Sequence, residues 1–196
     1  MDISPETNSL IDYLLTYNHL TGQQISLIES MVEIVHLQKG EYFSEAGKIV
    51  RHFAIVKDGI LRVCYYDKQG NEVTRYFIEE NSLAVDLNSF NYQIPSSEYV
   101  EAVIPTELYV FSKTSLAKLT ETILVWENIQ NKIVNTALLE KVNRISPMMA
   151  EDSKTRYLEF HNRYPKLVNR IPLNYLASYI GVTKHTLSRI RKELLK

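Results

Sequence analysis

The sequence has a single cysteine, Cys64, and no apolar run that approaches the ~20 residues needed to span a membrane. One thiol excludes an internal disulfide, a four-cysteine zinc site and a cysteine-ligated iron–sulfur cluster within one chain. Residues 1–6 lack the basic segment that begins a secretory signal peptide. Hydrophobic residues make up 45% of the 196 positions, an ordinary globular composition. We therefore expect a folded, cytoplasmic protein.

The net charge of −1 hides an uneven distribution. Residues 148–196 contain ten Lys/Arg and four Asp/Glu, whereas residues 1–147 contain twelve basic and nineteen acidic residues. A basic segment of this kind favours a polyanionic partner. The alternative is a solvated basic surface without a partner. Net charge affects association and solubility, and it does not by itself identify a partner.

The pattern of the sequence changes at about residue 34. Residues 1–33 have apolar residues at helical spacing, and Thr21 begins a capping box. Residues 34–112 instead contain short runs of β-favouring residues separated by turn signals, which predicts an antiparallel sandwich or barrel. The pair Asp58-Gly59 between two apolar runs predicts a hairpin. The predicted strands are Val35–Leu37, Tyr42-Phe43, Phe53–Val56, Ile60–Tyr66, Val73–Ile78, Tyr99–Ile104 and Leu108–Phe111.

A long helix is predicted from Thr122 to about Ile145, where the sequence has no Gly or Pro. It carries two apolar stripes and must therefore be covered on two sides. The β domain can cover one stripe, and the same helix of a second copy can cover the other; burial of both within one chain is the alternative. The stripe predicted as the dimer interface is Trp126, Ile129, Ile133 and Ala137. The second stripe is Val134, Leu138, Val142 and Ile145. Shorter helices are predicted at Ser115–Leu119 and Met149–Arg163.

Residues 173–196 match a helix-turn-helix. Leu176, Ala177 and Ile180 give the first helix a buried face, and Gly181 stands where the turn is expected to need a positive φ. The second helix can be capped by Thr183, and its exposed face carries donors able to reach bases and phosphates in a major groove. A structural helix pair is the alternative. The predicted DNA-binding residues are Thr183, Lys184, His185, Ser188, Arg189 and Lys192.

In these features the chain resembles the Crp/Fnr family of bacterial transcription regulators. The resemblance covers nearly the whole chain and rests on Ala177, Gly181–Ile190 and, in the β region, residues 39–43, Gly47, 53–56 and 59–63. It implies an α+β fold, with an N-terminal antiparallel β jelly roll (a double-stranded β-helix) flanked by helices, a long dimerisation helix and a C-terminal winged helix-turn-helix.

The resemblance also implies three segments with different roles. Residues 1–121 would form a cyclic-nucleotide-binding-like sensory domain, 122–147 the dimerisation helix and 148–196 the DNA-binding domain. Lys184, His185 and Arg189 fall on the positions where the family reads bases, and Ser188 lies beside them. Any wing would have to come from about residues 164–172.

The sensory cassette departs from the pattern of members that respond to cyclic nucleotides. Those members hold the sugar with Gly-Glu and the phosphate with Arg-Ser/Thr. Here Val85-Asp86 and Ser96-Ser97 stand at those positions, and a hydroxyl cannot neutralise a phosphate. We therefore expect an effector other than cyclic AMP, or none. Arg62 or Arg75 could rescue the site if either points inward. The candidate effector residues are Asp86, Ser96, Ser97, Arg62 and Arg75.

Nothing in the sequence indicates catalysis. The nucleophile-elbow, zinc-protease, P-loop and dinucleotide motifs are all missing, and the histidines never pair at metal-ligand spacing. Haem would need axial ligands, and His19, His36, His52 and Cys64 stand in no diagnostic setting. We expect no enzyme activity, no metal and no cofactor.

The sequence thus predicts a homodimeric, sequence-specific DNA-binding transcription regulator. Its partners would be double-stranded DNA, a second copy of the chain, an unidentified small-molecule effector and, as a candidate, RNA polymerase; no membrane is involved. The alternative is a binding module for a cyclic nucleotide or another small molecule, with a degenerate DNA-binding domain.

Overall fold

The computed structural model describes residues 6–145 and 152–194. Within them, two helices precede eight strands that enclose a short helix, and five helices follow. No described helix is long and apolar enough to cross a membrane. The helices are α1 Asn8–Leu15, α2 Gly22–Met31, α3 Leu87–Tyr92, α4 Lys113–Thr122, α5 Trp126–Ile145, α6 Ser153–Arg163, α7 Leu173–Ile180 and α8 Lys184–Leu194. The strands are β1 Glu33–Leu37, β2 Tyr42–Ser44, β3 His52–Asp58, β4 Leu61–Tyr66, β5 Glu72–Ile78, β6 Leu83–Ala84, β7 Tyr99–Ala102 and β8 Thr106–Ser112.

The strands form two four-stranded antiparallel sheets, in the orders β1-β8-β3-β6 and β2-β7-β4-β5. Alternate residues of the strands point into the space between the sheets, as the two-residue period of a strand requires. There Ala54, Val63, Val100 and Leu108 belong to one buried apolar cluster. The predicted antiparallel β architecture with flanking helices is confirmed, and each of the seven predicted strands is present.

The chain reverses at Asp58-Gly59, but not as a hairpin. This pair joins β3 to β4, which lie in different sheets, so the hairpin predicted there is wrong. Gly59 has a φ of +108°, and a Cβ at this position would lie 2.5 Å from Thr106 Oγ1. Glycine is therefore required because the corner approaches the start of β8 closely. The hairpin of this region is β4–β5, where the Asp67 carboxylate accepts a hydrogen bond from the amide of Asn71 (2.8 Å).

Helices α1, α2, α4 and α5 cover the outer face of sheet β1-β8-β3-β6. Phe53 and Phe111 of that sheet join Leu10 and Leu119 of the helices in the largest buried cluster. Helix α4 continues to Thr122, and an extended residue, Ile123, separates it from α5. The predicted single helix from Thr122 therefore begins four residues late, at Trp126.

The same cluster buries the stripe of α5 that was predicted to face a second copy. Trp126, Ile129 and Ile133 are 3%, 0% and 3% exposed in the single chain, and Ala137 packs against them. The predicted dimer interface on these residues is therefore wrong. The chain's own β domain and N-terminal helices already cover this stripe.

Helices α6, α7 and α8 form the C-terminal unit. Asp152 caps α6 by accepting hydrogen bonds from the amides of Lys154 and Thr155 (2.8 and 3.0 Å). Met149 and Pro147, where a helix start and a domain boundary were predicted, lie outside the described residues.

The wing predicted at residues 164–172 is wrong. This segment forms turns, in which the amides of Leu167 and Ile171 donate to carbonyls three and four residues earlier. Leu167, Val168 and Ile171 are buried against α6 and α7, so the segment packs inward. Within residues 152–194 no strand follows β8.

Candidate nucleic-acid interface and effector site

The helix-turn-helix is built as the sequence predicts. Gly181 ends α7 with a φ of +76°, the left-handed conformation in which L side chains are disfavoured. Leu176, Ala177 and Ile180 of α7 face Leu187 of α8 and are all buried. The amide of Thr186 donates to the Thr183 hydroxyl (3.2 Å), which caps the start of α8.

The opposite side of α8 is open to solvent. Of the predicted DNA-binding residues, Lys184, His185, Arg189 and Lys192 are exposed on this helix, and Ser188 is partly exposed. Arg189 approaches Glu193 on its own helix at 3.9 Å, a surface ion pair that contributes little. The guanidinium is therefore available to another acceptor. Thr183 precedes α8 and its hydroxyl is engaged in the cap.

The five predicted effector residues do not form one site. Asp86 caps α3 by accepting from the amides of Asn88 and Ser89 (3.0 and 3.1 Å). It lines a cavity of about 160 Å³ between α3, β5, β6 and α5, where Leu138 and Lys141 contribute from the long helix. Ser97 is exposed.

Arg75, Glu98 and Ser96 lie together just before the start of β7. The Ser96 hydroxyl bonds the backbone of Glu98, and the Glu98 carboxylate forms an ion pair with Arg75. The Arg75 guanidinium also lies 4.9 Å from the centre of the Tyr65 ring. Because Glu98 already neutralises Arg75, this cluster offers an anion no uncompensated positive charge.

Arg62 lies on the outer face of its sheet, not in the space between the sheets. Its side chain is 1% exposed. Nη2 and Nε donate to Glu101 Oε2 (2.5 and 3.0 Å), and Nη1 donates to Glu72 Oε1 (2.7 Å) and Thr74 Oγ1 (3.1 Å). Burial by itself would lower the pKa of Arg62, but the two carboxylates outweigh it and hold the pKa above its ordinary value.

The C-terminal unit covers this arginine. The Tyr175 ring of α7 lies 3.7 Å from the Arg62 guanidinium carbon, and the Tyr175 hydroxyl donates to Glu101 Oε1 (3.1 Å). Sequence reasoning missed Glu101 and Tyr175 as partners of Arg62. A glutamate inside a strand of apolar residues was the one available signal, because such a charge needs a partner when buried.

Cys64 borders the same carboxylates. Its thiol and carboxylate oxygens of Glu72 and Glu101 lie within 4.8 Å of one another. Both carboxylates are bound to Arg62, which supplies the positive charge that a metal ion would otherwise bring. Burial raises the pKa of the thiol to about 11, which keeps it protonated and a poor ligand.

Apart from Val134, which packs against the main buried cluster, the second stripe of α5 lies outside the chain's own core. Leu138 and Val142 are 43% and 62% exposed, and Leu139 beside them is 65% exposed. Of the stripe's other members, Val134 is half-buried, while Ile145 lies where side chains are not described. An exposed apolar stripe on a helix that is buried on another side indicates a protein contact.

The fold and these sites define a class of protein: a β-roll domain joined through a long helix to a helix-turn-helix. Residues 34–122 match the family model named cyclic nucleotide-binding domain. The resemblance to Crp/Fnr regulators is confirmed at the level of the fold by similar solved structures. A search of curated proteins gave no significant match.

Three of these structures illustrate the similarity. A protein from Eubacterium rectale, described as a transcriptional regulator of the Crp/Fnr family, has a TM-score of 0.69 at 18% identity, over 94% of this chain and 88% of that one. The c-di-GMP responsive regulator CLP from Xanthomonas campestris has a TM-score of 0.69 at 14% identity, over 89% and 92%. The catabolite activator protein from Thermus thermophilus has a TM-score of 0.56 at 18% identity, over 93% and 86%.

Proposed function

We propose that the protein is a homodimeric, sequence-specific DNA-binding transcription regulator. The observation that carries the proposal is the exposed basic face of α8, held by a buried apolar face on α7. This is the arrangement in which a helix can enter a major groove while its partner helix supports it. The regulators among the structural neighbours support the same assignment.

Arg189 and Lys192 would have different roles on DNA. A guanidinium can bond O6 and N7 of guanine together, whereas an ammonium at the end of the helix suits a phosphate. Arg189→Ala should weaken binding to the preferred site by about 1–3 kcal/mol and reduce the base preference at one position of that site. Lys192→Ala should weaken binding to all sequences alike. It should also reduce, by about one, the steepness with which the logarithm of the affinity falls with the logarithm of the salt concentration.

Binding-site selection followed by titration over a range of salt concentrations measures both effects. Lys118→Ala removes the same charge from the exposed face of α4 and serves as the control, because it lies on the β domain. Identical selected sequences for Arg189→Ala and the unsubstituted protein would contradict base contact by Arg189. No DNA binding above that of a non-specific basic protein would contradict the proposal as a whole.

The dimer would form through the second stripe of α5, with Leu138 and Val142 facing their counterparts. Leu138→Asp/Val142→Asp places two charges in that seam without touching the buried stripe. Light scattering should then give a folded monomer, with the far-ultraviolet circular dichroism retained. Thr136→Asp adds a charge to an exposed position off the stripe and should leave the dimer intact. A double variant that remains dimeric at the same concentration would refute this interface.

The effector would not be cyclic AMP. The space between the sheets is filled by apolar side chains, among them Val63 and Val100. The two arginines that could have received the phosphate are each held by a glutamate. A cyclic phosphate would have to displace one of these carboxylates or leave its charge unpaired, and an unpaired buried charge is costly.

A small-molecule binding module is the second candidate, and the cavity beside Asp86 favours it. A ligand there would touch α5 at Leu138, a residue that also belongs to the proposed dimer seam. A tight ligand with no DNA affinity would support this candidate over the first.

A further inference from the structure

The helix-turn-helix packs against the β domain of its own chain. Helix α7 runs against the outer face of β5, and Phe77 of that strand contacts the rings of Phe160 and Tyr179 (centroids 6.0 and 5.5 Å apart). Ile60 and Val103 complete the apolar part of this contact. Apolar burial of this kind stabilises a contact but does not by itself select one orientation, because it is not directional.

Directional contacts surround the apolar patch at three places. The first is the Arg62–Glu101–Tyr175 cluster. At the second, the Ser178 hydroxyl accepts from the amide of Thr74 (2.9 Å) and donates to the carbonyl of Glu72 (3.2 Å).

At the third place, Arg170 donates to Glu80 Oε1 (2.6 Å), and the same carboxylate oxygen accepts from the amide of Gly59 (3.1 Å). Three polar contacts on different strands and loops fix a rigid body in one position on a surface.

The cluster at Arg62 differs from the other two because its ions are buried. Arg62 and Glu101 are 1% and 5% exposed, and only Tyr175 comes from the C-terminal unit. A buried ion pair adds little net stability, since desolvation offsets the attraction, but it tolerates few arrangements around it. Any rotation of α7 would remove the ring from the guanidinium and the hydroxyl from Glu101.

We propose that Arg62, Glu101 and Tyr175 are positioning residues that fix the orientation of the recognition helix relative to the β domain. The proposal rests on the proposed DNA-binding function. In a dimer, the orientation of each helix-turn-helix determines the distance between the two recognition helices and therefore the half-site spacing that can be bound. The cluster thus determines the spacing preference, whereas the exposed face of α8 determines the bases read.

Two substitutions at Tyr175 separate the contribution of its hydroxyl from that of its ring. Tyr175→Phe removes the hydrogen bond to Glu101 and keeps the ring over Arg62, whereas Tyr175→Leu removes both. Arg75→Ala is the control, because it breaks a partly exposed Arg–Glu ion pair on the same strand as Thr74 but away from Tyr175.

The first readout is amide hydrogen exchange of the full-length protein without DNA. The Thr74 amide is the reporter, because its partner is Ser178 of the C-terminal unit. We expect exchange at Thr74 to rise at least tenfold in Tyr175→Leu and by a smaller factor in Tyr175→Phe. It should stay unchanged in Arg75→Ala. Unchanged exchange in Tyr175→Leu would overturn the proposal.

The second readout is binding to a series of operators that differ only in half-site spacing. Tyr175→Leu should bind the best half-site sequence as before, but with at least a tenfold smaller preference between spacings. The same spacing profile as the unsubstituted protein would overturn the proposal. If no variant, nor the unsubstituted protein, binds DNA, the proposed function fails, while the exchange experiment still decides whether Tyr175 holds the unit in place.

Discussion

Replacement of Gly59 by alanine tests the corner that joins the two sheets. A Cβ there would lie 2.5 Å from Thr106 Oγ1, 2.7 Å from Thr106 Cα and 2.8 Å from the Pro105 carbonyl oxygen. Two of these atoms are backbone, so a side-chain rotation cannot relieve the overlap. The positive φ adds strain of about 1–3 kcal/mol, and forcing the start of β8 outward adds about 1–3 kcal/mol. We therefore expect Gly59→Ala to lower the free energy of unfolding by about 4 kcal/mol.

Denaturant unfolding measures this loss directly, and thermal unfolding measures it independently. With an unfolding entropy of about 2 cal/mol/K per residue, 4 kcal/mol corresponds to a fall in Tm of about 10 °C for a chain of this length. Gly70→Ala is the control, because Gly70 has a φ of +83° but no heavy atom within 4 Å of the added Cβ. It should lose only the strain contribution. Equal losses for the two variants would refute the argument from close approach.

Two further predictions concern charge. Titration calorimetry should give no binding of cyclic AMP or cyclic GMP in the low micromolar range, about −8 kcal/mol; such binding would reinstate Arg75 as a phosphate partner. Burial tends to raise the pKa of Glu80, but the hydrogen bond from Arg170 outweighs it and lowers the pKa below its ordinary value. The stability from this pair is therefore present above the ordinary glutamate pKa and is lost as the pH falls through the lower, folded-state pKa. Glu80→Gln should therefore reduce the loss of unfolding free energy as the pH is lowered. An unchanged pH dependence would show that other carboxylates cause this loss.

Local features of the fold could be predicted from the sequence because their determinants are close together in the chain. The capping box at Thr21 forms as expected, with the Thr21 amide donating to Gln24 Oε1 (2.8 Å). The turn at Gly181 and the cap at Thr183 are likewise present. Each needs only residues within one or two turns of helix, so tertiary contacts need not be known.

Features that depend on distant contacts could not be predicted in the same way. The Asp58-Gly59 pattern indicates a reversal of the chain, but strand pairing decides whether the reversal is a hairpin or a corner between sheets. The two stripes of α5 are equally apolar, and only the position of the β domain and the N-terminal helices decides that Ile129 is inside and Val142 outside. Arg62 is another case, since its partner Glu101 lies 39 residues away.

The arrangement of the β roll explains how a change between its sheets could reach the helix-turn-helix. On β4 and β7 the residues alternate: Val63 and Val100 face the interior, whereas Arg62 and Glu101 face the helix-turn-helix. Because interiors are packed closely, a group that displaces the interior side chains must also move the strands that carry them. A shift of one strand relative to its neighbour would change the Arg62–Glu101 geometry on which Tyr175 rests. Because the long helix and the helix-turn-helix cover the two outer faces of the roll, such a change would move both of them without any direct contact between the displacing group and α8.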